Sequence, residues 1–346
     1  MKMRYVNTVA RHTQRGFTIV ELMIALLISL ILMGGVVQVF SSSTKTYRTH
    51  EGLSRIQENG RFALEFLKRD IRMADFWGCA NRVNKVTNNL DPANGGANWQ
   101  FDFNNGGLVG TDGGGNNPDS IVLRGAFGIG LSVQPPYGPQ ASSNLKVPPN
   151  TIVGQGDIIM VSDCESADII QITNQITGTN VSLVHNTGST VTPGNYNATN
   201  PGCPGGGNAH CLSKVYAGDA QIFLARSIAY SIATGASGQP ALFRNDGTTN
   251  QELVDGVVNL QILYGEDLDA PGSAGFGTAD YYVPAGSVTD MENVVSVKLS
   301  LLLQSYENNL TPSPMIYTYN GSSSTAADRR LYQVFSSTVA VRNRVQ

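Results

Sequence analysis

The first proline of this 346-residue chain is Pro92, and the first cysteine is Cys79. A helix that begins near the N-terminus therefore meets no residue that would remove its hydrogen bonds or kink it. Charge is scarce, at 14% of residues, and the 23 Lys and Arg do not outnumber the 26 Asp and Glu. Without a basic excess the chain lacks the electrostatic footprint of a nucleic-acid binder, so nucleic acid is not expected as a partner. The four histidines, His12, His50, His185 and His210, are scattered, and no pair has metal-ligand spacing. There is no HExxH, no GxSxG and no CxxC. The first two absences remove the readable signatures of zinc peptidases and α/β-hydrolases. "GLVGTDGGGNNPD" (107–119) lacks the Lys-Ser/Thr that closes a phosphate loop, and it reads as a flexible loop. No catalytic residue, cofactor or metal is expected, and the chain reads as a non-enzyme.

What is present is one long apolar run. In "RHTQRGFTIVELMIALLISLILMGGVVQVF" (11–40), Glu21 is the only charge between Phe17 and Phe40. As a helix, that span covers roughly 36 Å, enough for a bilayer core of about 30 Å, and it exceeds a signal-peptide apolar region. Lys2, Arg4, Arg11 and Arg15 precede it with no acid among them, which holds the leader in the cytoplasm. A carboxylate mid-membrane costs about 2.5–3.5 kcal/mol, less near the interface. Near the interface Glu21 would simply be tolerated; deeper, it needs a partner. Cutting the chain between Gly16 and Phe17 supplies one, because the new α-amino group lies one helical turn from Glu21. Helices packed with an axial stagger set one subunit's Glu21 beside another's amino-terminus, and in low dielectric that pairing is far better than two lone charges. Gly34-Gly35 is the weak point of the helix, open either to local melting or to close packing against a neighbouring helix.

"RGFTIVELMIALLISLILMGG" closely resembles the class III leader of type IV prepilins: a short basic leader, Gly, then Phe-Thr-x-x-Glu and an apolar helix. The resemblance implies cleavage after Gly16 by a prepilin peptidase, N-methylation of Phe17, and Glu21 as the assembly glutamate. "QENGRFALEFLKRDIRMADFWGC" and "VFSSTVAVRNR" resemble the PilW family of minor pilins and its distant relative, the J-type minor pseudopilin of type II secretion. "DGVVNLQILYGEDLD" and "NVVSVKLSLLLQS" extend the likeness more weakly. By resemblance, the chain is a minor pilin of the inner membrane, leader cytoplasmic and C-terminal domain periplasmic, that passes to the pilus at the cell surface. It would help initiate assembly in a tip complex. The implied partners are other minor pilins, the major pilin, the peptidase, the inner-membrane assembly platform and a tip adhesin. The alternatives are the pseudopilus subunit and a tip adhesion module whose loops bind a surface.

The organisation that follows is a leader (1–16), a membrane and assembly half-helix (17–40), an amphipathic half-helix (41–76) and a β-rich domain (77–346). Removing the leader's four basic residues takes the formal charge from −3 to −7. The helix is expected to run from about Phe17 to about Ala74. Leu53, Ile56, Gly60, Ala63, Leu67, Ile71 and Ala74 recur at three- and four-residue steps and form the stripe that faces the domain. Glu51/Arg55, Arg61/Glu65 and Glu65/Arg69 fall at i,i+4 on a solvated face.

Beyond Cys79, short alternating β-branched runs take over: "DSIVLR", "GDIIMVS", "ADIIQIT", "NVSLVH", "AQIFLARSIAYSI", "VVNLQILYG", "VVSVKLSLLLQS" and "LYQVFSSTVAV". The fold class is α+β, a long helix on a mainly antiparallel sheet, and the resemblance implies that it is pilin-like. Residues 88–118 and 185–210 read as strand-poor surface loops, where binding often resides. Four cysteines in an oxidising compartment read as two disulfides with three possible pairings. Cys203–Cys211 would close a short loop, and Cys79–Cys164 would staple the helix end to the sheet. A zinc site using His210 is the alternative, weakened by the missing CxxC. "GEDLDAPGSAG" gathers Glu266, Asp267 and Asp269, hard ligands for calcium without the EF-hand spacing, and reads as a solvated acidic turn.

Overall fold

The computed structural model describes residues 16–80, 85–138, 144–149, 152–176, 181–187, 191–196 and 211–344. A single helix, α1 (Ile19–Met73), runs 55 residues without a break. Absence of proline permits it, and a first half rich in Leu favours it. Arg72 in its last turn faces the negative end of the helix dipole. The helix stops where Asp75 turns left-handed, at φ +60°, a conformation that Asp tolerates better than most residues.

The chain divides into two units, residues 1–51 and 52–346. In the first, the apolar side chains from Phe17 to Phe40 are exposed all round the helix. A polar run follows, in which the Thr44 and Thr49 hydroxyls donate to the carbonyls of Phe40 and Lys45.

The second unit contributes sixteen strands among the described residues: β1 (Val86–Asn88), β2 (Leu108–Thr111), β3 (Ser120–Ser132), β4 (Asn144–Val147), β5 (Ile158–Ser162), β6 (Ala167–Gln171), β7 (Val181–Val184), β8 (Gln221–Thr234), β9 (Pro240–Asn245), β10 (Asn250–Asp255), β11 (Val257–Glu266), β12 (Tyr281–Val283), β13 (Val294–Gln304), β14 (Ile316–Tyr319), β15 (Ser322–Thr325) and β16 (Tyr332–Ala340). One sheet follows the order β1-β6-β5-β8-β3-β2, with β9 beside the far half of β8 and β10 beyond it. A second has the order β12-β11-β13-β16, and β4–β7 and β14–β15 form separate pairs. All of these pairings are antiparallel except β1 with β6. The expected runs all become strands. The short strands β1, β2, β4 and β12 and the hairpins β9–β10 and β14–β15 are not legible in the sequence, because they are brief, polar or begin at proline.

Both sheets meet over the second half of α1. Ile56, Gly60, Ala63, Leu67 and Ile71 are buried, as is Ala74. Leu53 is exposed instead, so the stripe starts one turn later than its spacing suggests. Gly60 has a packing reason: a Cβ there would lie 2.5 Å from ring atoms of Phe335 on β16. Polar clamps flank the stripe. Asn59 donates to the Asp255 carboxylate (3.1 Å), and Asp70 accepts from Tyr230 (2.7 Å) and Arg244 (3.0 Å). At the helix exit, Asp75 accepts from the Trp77 indole (2.7 Å) and from Arg344 near the C-terminus. Arg69 bonds Asp70 and lies over the Phe66 ring, 4.8 Å from its centre, rather than serving a Glu65 pair.

Residues 88–118 correct the surface-loop reading. They contain β2, and Leu90, Phe103 and Leu108 are buried. The buried Arg124 guanidinium ties the segment down by donating to the carbonyls of Trp99 (3.1 Å) and Gly106 (3.3 Å). Gly and Asn set the composition of this stretch, and three apolar anchors decide its position. "GLVGTDGGGNNPD" is β2 and its turn into β3, closed by the Gly113 amide donating to Asp119 (3.0 Å).

Cys79 and Cys164 are disulfide-bonded, with Cα atoms 4.4 Å apart across 85 residues. The bond joins the segment after α1 to the turn between β5 and β6. Cys211 is buried and disulfide-bonded; Cys203 and His210 lie outside the described residues, as does most of 185–210. Replacing Cys79 and Cys164 together by Ser is expected to lower stability by about 3–5 kcal/mol, from the entropy of the opened loop. A lower urea midpoint, with a steeper slope because the unlinked denatured chain is more open, would register it.

Candidate functional site

The start of α1 is built by its own sequence. Thr18 is the cap residue: its hydroxyl accepts from the Glu21 amide (3.3 Å). Glu21 Oε2 accepts in return from the Thr18 amide (3.0 Å) and hydroxyl (2.9 Å). This reciprocal Thr-x-x-Glu arrangement satisfies orphan amides of the first turn and sets a negative charge where the helix dipole favours it. Glu21 Oε1 has no partner among the described residues, so the carboxylate keeps acceptor capacity on its second oxygen. The capping role of Thr18 lies outside the sequence expectations, although the spacing of the two residues carries it.

Gly16 and Phe17 precede the cap, outside the helix. Phe17 is 86% exposed, and nothing lies within 4 Å of where a Gly16 Cβ would stand. Gly34 and Gly35 are equally open, and α1 passes through them unbroken. The segment from Gly16 to Glu21 therefore joins an uncrowded Gly16, a carboxylate with a spare oxygen and an apolar surface that no other described residue of the first unit covers.

The acidic turn after β11 sorts differently from its sequence order. Glu266 is fully buried and accepts from the Tyr281 hydroxyl (2.7 Å) and the amides of Asp290 (2.8 Å) and Thr289 (3.1 Å). Burial pushes its carboxyl upward, and these hydrogen bonds outweigh that and hold it below the usual range. The acids that approach one another are Asp267, Asp269 and Asp280, whose carboxylate oxygens lie within 4.8 Å. Two of them already serve the loop: Asp267 accepts from the amides of Asp269 and Gly277, and Asp280 from that of Leu268. Glu266 is thus an anchor of the 281–290 segment and not a member of this group.

Because the folded pKa of Glu266 is lowered, its stabilisation is complete above the ordinary value near 4.5 and fades as pH falls through the lower folded value. Glu266→Gln is expected to cost about 1–3 kcal/mol at neutral pH, with the gap from the parent closing in acid. Urea midpoints across pH check this.

Two family models match the chain. Residues 229–343 match the family described as type IV pilus-assembly protein W, and residues 11–37 match the prokaryotic N-terminal methylation motif. Comparison with curated proteins and with solved structures gave no match.

Proposed function

We propose that this chain, a PilW-like type IV minor pilin, is cut after Gly16, methylated at Phe17 and assembled with other minor pilins into a complex at the pilus tip that initiates the fibre. The motif and the apolar helix anchor it in the inner membrane before it enters the pilus. Its role is structural. It interacts with other pilus components and undergoes prepilin processing.

The observation that carries the proposal is the junction of Gly16-Phe17-Thr18-x-x-Glu21 with a helix whose apolar side chains are unburied within their own unit. Cleavage at Gly16 needs an extended, unobstructed bond, and none of the described neighbours crowds it. Afterwards the Thr18 amide remains, so the capping bonds to Glu21 survive the cut. The spare oxygen of Glu21 then accepts the α-amino group of a neighbouring subunit. Neutralising both charges in low dielectric fixes the axial stagger of the helices. Apolar surface on each helix is covered by its neighbours as the subunit leaves the lipid.

The tip position is supported by the size and acidity of the domain. Residues 52–346 form a broad β structure, and the mature charge of −7, from −3 less the leader's four basic residues, would repel itself if repeated along a shaft. The partners proposed are the other minor pilins, the major pilin, the prepilin peptidase, the inner-membrane assembly platform and a tip adhesin.

Two variants separate the steps. Gly16→Leu is expected to leave the uncut chain in the membrane. Glu21→Ala is expected to be cut normally yet to reduce fibre number and its own incorporation. Immunoblots of membranes and of sheared fibres read both. Normal incorporation of Glu21→Ala would contradict the charge-pairing mechanism.

A further inference from the structure

A strand at the edge of a sheet presents a row of unpaired backbone groups, and proteins blunt such edges by shortness, charge, proline or a bulge. The edges at β1, β2, β10 and β12 are blunted in these ways. β1 and β12 have three residues and β2 four. β10 carries Glu252 and Asp255 and a bulge against β9. β16 is different. It has nine residues, YQVFSSTVA, without charge, proline or glycine, and among the described strands only β13 pairs with it.

The register shows which groups are free. The Ser305 amide donates to the Leu331 carbonyl (2.8 Å) and the Val341 amide to the Val295 carbonyl (2.9 Å). Hydrogen-bonded residues alternate along an antiparallel strand. Odd-numbered residues from 331 to 341 therefore turn their amides and carbonyls to β13, and even-numbered ones turn theirs outward. The outward Tyr332 amide meets the Met315 sulfur (3.4 Å). Those of Val334, Ser336, Thr338 and Ala340 have no partner among the described residues. A buried acceptor on the same strand, Gln333 Oε1, also lacks a donor.

We infer that the outer edge of β16 receives an extended segment of a different polypeptide of the cell envelope, which adds a fifth strand to this sheet. The free backbone row selects an extended chain. The uncharged side chains along β16 select a segment without charges at the paired positions. A second copy fits badly. The second half of α1 runs beside β16 in the same direction, Gly52 near Leu331 and Asp75 bonded to Arg344. Antiparallel pairing of two copies would set the second halves of their α1 helices, each continuous with an apolar first half, in opposite directions. The inference does not depend on the tip position proposed above.

The test uses the full-length chain in cells, with a photo-reactive residue placed singly at Ser336, Thr338 or Ala340. Adducts to one partner segment, displaced by two residues for each two-residue step along β16, are the expected result. Ser336→Pro removes only an outward amide. It should abolish the Thr338 adduct while protease resistance and the Cys79–Cys164 bond persist. Ser337→Pro, which removes an amide bonded to β13, should lose that resistance. Adducts to the same strand of a second copy would overturn the inference. So would scattered partner positions, or silence at β16 while a photo-reactive residue at Leu27 reports neighbours.

Discussion

The structure depends on burying one face of the second half of α1. Ile56, Leu67 and Ile71 are each nearly or fully removed from solvent, worth about 1.5–3 kcal/mol apiece, and they sit among apolar residues of both sheets. The same unbroken helix must be apolar all round in its first half and apolar on one side in its second. No interruption of the helix separates the two demands, so sequence pattern alone switches them. Asn59, Asp70 and Asp75 fix the rotation of the helix by reaching different strands and the C-terminal segment. A rotation that turned Leu67 out of the stripe would break these polar contacts together.

The segment matched to the pilus-assembly family, 229–343, gains a physical meaning from this arrangement. It supplies part of β8 and all of β9 to β16, which carry many of the apolar residues against α1. The chain's end returns to its helix through Arg344, which bonds Asp75 and the carbonyls of Met291 and Val294. The unmatched middle, including β4 to β7, closes a separate apolar cluster around Ile159, Ile170 and Leu183, and Cys79–Cys164 ties it to the residues just after α1.

Much of this is legible in the sequence because strong periodicity leaves few alternatives. The helix, its buried stripe from Ile56 onward and the longest strands announce themselves through spacing. What stays hidden depends on contacts far apart in sequence. Nothing local to Phe103 or Leu90 says that a Gly/Asn-rich stretch is pinned under Arg124. Asp280 joins Asp267 and Asp269, while adjacent Glu266, the last residue of β11, is taken up by Tyr281, Thr289 and Asp290. At the N-terminus the motif is plain, but the charge of Glu21 in an apolar run masks the simpler local fact that Thr18 and Glu21 cap each other.

The central claim is that this chain is processed at Gly16-Phe17 and enters a filament. The most direct measurement is the mass of the N-terminal peptide from sheared surface fibres and, separately, from membranes. The account predicts a peptide beginning at N-methylated Phe17 in the fibre fraction. A mature end confined to membranes would contradict entry into the pilus and favour a pseudopilus. An N-terminus still at Met1 with the peptidase present would contradict prepilin processing itself.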